Sequence, residues 1–121
     1  MNKTVKKLEG NLIRALTSAC EKAKIEVGGF EWLTHTADYA NFPNSLVVIC
    51  IFDGDSSLQK AKYAAKDLLI ITCIHKALLN AGVLLKTPKQ HVRFDTEQAC
   101  EREHQGNWKK RIHSIPNNIA Q

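Results

Sequence analysis

Long apolar runs are missing from this chain. The two richest stretches, LVVICIF at 46–52 and LLIITCIH at 68–75, fall far short of the roughly 18 residues a membrane-spanning helix needs. The first residues, MNKTVKKLEGNLIRAL, carry basic side chains but no continuous apolar segment. They do not read as a secretory signal, and a cytoplasmic location is expected. Three prolines and six glycines exclude a collagen-like or linker-like chain. No G-x-S-x-G, phosphate-binding P-loop or dinucleotide fingerprint occurs. Nucleotide-dependent and serine-nucleophile chemistry therefore have no local signature.

Cysteine is scarce in the pattern that matters. The four residues Cys20, Cys50, Cys73 and Cys100 form no C-x-x-C. Cys50 and Cys73 lie inside the apolar runs, where a cysteine packs as a small hydrophobe and its thiolate is disfavoured. Reduced core thiols are the expectation. Cys100 and His104 have helical i,i+4 spacing, and His91, His113 or the Cys73–His75 pair could supply further donors. No second ligand pair has a metal-site spacing, so no metal and no cofactor is assigned.

What is present is an ordinary globular composition: 121 residues, 44% hydrophobic and 24% charged. One domain is expected over 1–115, with 116–121 a flexible C-terminal tail. The net charge of +5 is unevenly placed. Residues 1–60 hold seven basic and seven acidic side chains and residues 61–121 hold ten and five, so the excess lies wholly in the second half.

Apolar spacing organises the chain. Val5, Leu8, Leu12, Leu16, Ala19 and Ala23 recur every three or four residues, which predicts a helix over 4–25 with Thr4 as its cap. The alternation in FEWLTHTADY predicts a strand over 30–39, and the apolar run at 46–52 a central strand paired to it through a loop of about five residues. A long helix is expected over 57–80, apolar on nearly every side, ending at Gly82. Val83-Leu84-Leu85 reads as a short extended segment, and 91–94 as a third strand. Asp95 or Thr96 then caps a short helix reaching about His104. The order α-β-β-α-β-α implies an α+β two-layer sandwich, a small mixed sheet with helices packed on one face.

Two functional readings follow. Lys86, Lys89, Arg102, Lys109, Lys110 and Arg111 are cations in the basic half, and Trp108 beside three of them could stack a base. Together they suit RNA or DNA, whose phosphates such side chains neutralise. The alternative is a protein-interaction module or homodimer, in which a second copy covers Ile70, Ile71 or Ile74 of the over-apolar helix. Neither reading makes the protein an enzyme. Asp53 and Asp55 in FDGDSS read as turn and cap residues, and His35 as a strand histidine.

The segments Phe30-Glu-Trp-Leu-Thr-His35, Val47-Val-Ile-Cys50-Ile-Phe-Asp53 and His104-Gln-Gly-Asn-Trp108-Lys-Lys-Arg111 resemble a family of small bacterial proteins of uncharacterised function. Its members often carry the label Fis-family transcriptional regulator, which implies DNA binding. A Fis protein is all-helical with a C-terminal helix-turn-helix, whereas the middle of this chain reads as a β-hairpin. The element order is also similar to the second topology of KH-type RNA-binding domains, without the G-x-x-G loop that clamps the backbone there.

Overall fold

The stripe of Leu12, Leu16, Ala19 and Ala23 gives the first helix, α1 (Lys3–Glu26), one buried side. The computed structural model describes residues 3–115, and the tail expected at 116–121 lies outside them. Thr4 sits within the first turn of α1 rather than at its cap. Gly29, at φ +84°, reverses the chain into β1 (Phe30–Thr36). Ten residues, not five, separate β1 from β2 (Val47–Phe52); they include a 3₁₀ turn at Tyr39–Asn41 held by the Asp38 side chain.

β1 and β2 pair antiparallel, with Phe30 opposite Phe52 and Thr36 opposite Val47. β3 (Val92–Thr96) joins the other side of β2 in parallel, so the order is β1-β2-β3. Every residue of β2 is fully buried. The strand has no polar face because both of its faces are covered. Val48, Cys50 and Phe52 enter the main core, and Val47, Ile49 and Ile51 enter a second, smaller cluster on the opposite face.

The helix expected over 57–80 is two helices, α2 (Asp55–Tyr63) and α3 (Lys66–Asn80). Ala65 between them adopts a left-handed φ of 59°. An L-residue there costs roughly 1–2 kcal/mol, offset by separating two packing tasks. α2 buries only Ala61 and lies against the carboxyl ends of β2 and β3; α3 packs along α1. α3 ends as the sequence predicts. Gly82 is left-handed, Val83 N–H donates to Leu78 O at 2.8 Å and Gly82 N–H to Leu79 O at 3.0 Å. These two bonds are the Schellman pattern. Val83-Leu84-Leu85 forms no strand.

Thr96 caps α4 (Glu97–His104) by accepting from Ala99 N–H at 2.9 Å. A turn at 105–107 leads to α5 (Trp108–His113), capped by Asn107. The architecture is α+β with the predicted order α-β-β-α-β-α and a mixed three-stranded sheet. α1 and α3 cover the inner face. α5 crosses the outer one, where Trp108 and Ile112 close over Val47, Ile49 and Ile51. Among the described residues no helix is long and apolar enough to cross a membrane.

Candidate nucleic-acid interface

The seven residues singled out by charge and composition do not form one surface. Lys86 and Lys89 are exposed in the connection leading to β3, Lys89 within a 3₁₀ turn at Pro88–His91. His91 closes that turn. It is buried, and its Nδ1 lies 2.7 Å from Leu46 O, so that nitrogen carries the proton and donates. Lys109 and Lys110 are exposed on α5.

Arg111, on the same helix, is turned the other way. Its side chain is only 12% exposed. Nε donates to Asp95 Oδ2 at 2.6 Å and Nη2 to Asp95 Oδ1 at 2.8 Å, a bidentate pair. Nη1 reaches Glu103 Oε1 at 3.1 Å and His104 Nδ1 at 3.1 Å. The hydrogen bonds it donates to Asp95, with further help from Glu103, raise the guanidinium pKa above its ordinary value. Arg111 fastens α5 to β3 and α4, and its donors are not free for phosphate. A basic run in sequence gives no hint of this, because alternate members of a short helix face opposite ways.

Trp108 is likewise occupied. Its ring meets that of Trp32 edge to face, with centroids 5.2 Å apart, and packs on the outer cluster of the sheet. Its Nε1 donates to Glu97 Oε1 at 2.5 Å, while Trp32 Nε1 donates to Glu97 Oε2 at 3.0 Å. A ring held in this way is a structural anchor rather than an open stacking platform. Arg102 is half exposed and bridges Asp55 Oδ2 at 3.1 Å and Glu103 at 3.6 Å.

Asp55 also accepts from the Thr96 hydroxyl at 2.6 Å. That bond first, and Arg102 second, hold its carboxyl below the usual range. Asp53 accepts from the Ser57 hydroxyl at the start of α2. These carboxylates at the strand ends are tied into turns and caps. Among the described residues, no three His, Cys, Asp or Glu side chains come together as metal ligands do. Burial pushes the thiols of Cys20, Cys50 and Cys100 up, so they stay protonated and weakly nucleophilic.

Two of the three residues expected at a homodimer surface, Ile70 and Ile74, are core residues of the single chain. Ile70 and Ile74 are 0% and 1% exposed within the single chain, sealed in the main core, and Ile71 is half buried against it. α1 packs along this helix and covers its Ile70–Ile74 side, while Leu68 and Leu79 remain 46% and 43% exposed.

A cationic cluster that the half-by-half charge count concealed lies between α1 and α3. Arg14 and Lys22 of α1 and Lys76 of α3 line a groove of about 790 Å³. Asn11, Arg14, Ser18 and Lys22 recur at spacings of three and four, which places them on one helix face beside the buried stripe. Helical periodicity applied to polar residues would have shown it. Comparison with family models, curated proteins and solved structures finds no match, so the site stands on its own chemistry.

Proposed function

We propose that the protein is a non-enzymatic module that binds nucleic acid, RNA or DNA, through phosphate contacts. The observation that carries this is the distribution of ion pairs. Among the described residues every ion pair is made by Arg102 or Arg111, and no lysine takes part in one. Three carboxylates, Asp55, Asp95 and Glu103, are absorbed by those two arginines. The lysines, Lys86, Lys89, Lys109 and Lys110 among them, are left uncompensated at the surface. Uncompensated surface cations are what counterion release from a polyanion requires.

The mode of contact is to the backbone. α4 and α5 run only eight and six residues, and α5 turns Trp108, Arg111 and Ile112 inward. This favours sequence-independent contacts over reading of base edges. Labelled RNA and DNA should bind at 50 mM salt and be released steeply by 200 mM. Absence of binding at low salt would remove the reading.

A second reading, a protein-interaction module, is favoured by Ile25, Tyr63 and Leu84, which are 83%, 95% and 67% exposed. Sedimentation over a wide concentration range tests self-association, and a strictly monomeric protein counts against that form of it.

A further inference from the structure

The groove between α1 and α3 combines three features. Its charged lining is entirely cationic: Arg14, Lys22 and Lys76 contribute three positive charges, and none of the described residues lining it is acidic. Its remaining polar side chains, such as Ser18 and Asn80, are neutral hydrogen-bonding groups. Its floor is made of small side chains, Ala15, Ala19 and Ala77, with Cys73. We infer that this groove is where the protein holds the sugar–phosphate backbone of a single nucleic acid strand. The inference rests on the nucleic-acid reading above and relocates its principal contacts from α5 to the opposite side of the sheet.

The geometry argues for a strand rather than another polyanion. Arg14 and Lys22 are eight residues apart, about 12 Å along α1. The cations are therefore strung along the groove, as repeating phosphates require. Helices in contact lie about 8–10 Å apart axis to axis, so the cleft between their ridges admits one backbone and not a duplex. The small floor lets phosphates sink between the helices. It has no aromatic ring for a base to stack on, so bases stay outside and sequence is not read.

Arg14 is already posed for the task. Its side chain donates to Asn11, one turn earlier, and lies over Gly10, 3.5 Å from where a Cβ would stand.

The test uses the full chain with a labelled 20-nucleotide single strand, as RNA and as DNA, titrated at several salt concentrations. The variants are the triple Arg14→Gln, Lys22→Gln, Lys76→Gln and the double Lys109→Gln, Lys110→Gln. All five side chains are exposed, and a thermal melt confirms that each variant is folded. Three lost phosphate contacts should reduce the slope of log affinity against log salt by about 2 and weaken binding roughly 100-fold at 0.1 M salt. The double variant should retain most of its affinity. Bound strand should also slow alkylation of Cys73 in the groove, read by peptide mass mapping.

If the wild-type chain binds no strand, the nucleic-acid reading itself fails. If it binds, and the groove variant binds equally well while the α5 variant does not, the reading stands and the groove assignment is overturned. The assignment is also overturned if duplex competes as well as single strand, or if the groove substitutions abolish binding to phosphatidylserine vesicles or polyglutamate and leave the nucleic acid bound.

Discussion

Trp32 and Trp108 meet edge to face, at an interplanar angle of 84°, and both donate their indole N–H to the single carboxylate of Glu97. The contact joins β1 at one edge of the sheet to α5, with α4 supplying the acceptor. Hydrogen bonds to a charged group are worth roughly 1.5–3 kcal/mol each. Glu97→Ala should therefore destabilise the fold by about 2–4 kcal/mol, and Glu97→Gln, which keeps one carbonyl acceptor, by about half of that. Urea unfolding followed by circular dichroism at 222 nm measures both. An Ala variant as stable as wild type would reduce the shared carboxylate to a surface group.

Arg111 and Asp95 form the second fastening of α5. Arg111→Lys preserves the charge but not the bidentate fork. It should cost about 1–3 kcal/mol, in contrast to Lys109→Ala on the exposed side of the same helix, which should stay within about 0.5 kcal/mol of wild type. Equal effects at the two positions would contradict the opposite orientations of these neighbours.

Gly29 and Gly82 both have left-handed backbone, at φ +84° and +83°, but different surroundings. A Cβ at Gly29 would stand 2.5 Å from Ser57 Cβ, whereas none of the surrounding atoms comes within 4 Å at Gly82. Gly82→Ala should cost about 1–2 kcal/mol, the backbone term alone. Gly29→Ala adds a steric clash and should cost about 3 kcal/mol or more. Chemical denaturation of the two variants side by side gives the difference.

Burial lowers the pKa of His35, and the nearby Glu9 opposes it. The unfolded chain then takes up the proton at a higher pH than the folded one. The contribution of His35 to stability is complete above its ordinary pKa of about 6.5 and is lost as pH falls from there through the folded value. Stability should decline across that window, and His35→Gln should flatten the decline. An unchanged pH profile in the variant would show that His35 is not its source.

The parts of the fold that depend on local spacing were legible in the sequence. The stripe of α1, the apolar run of β2, the Gly82 terminator and the Thr96 cap each act within a few residues of themselves. The break at Ala65 left no mark, because no glycine or proline stands there and the left-handed turn is imposed by where α2 and α3 must pack. The site was legible as charge but not as geometry. Lys109, Lys110 and Arg111 are alike in sequence, and only the position of Asp95 on β3 decides that the third of them faces inward. The α1–α3 groove draws Arg14 and Lys22 from the electrically neutral half of the chain, so a charge count by halves could not reveal it.

The two tryptophans of the chain are both spent on the Glu97 contact. Intrinsic tryptophan emission is therefore a gauge of one place. It reports whether α5 is seated on the outer face of the sheet, and it is blind to the packing of α1 against α3. A fluorescence transition that precedes the loss of helical signal would mean that the last helix lifts before the core opens. Coincident transitions would mean that the outer face and the inner core melt as one unit.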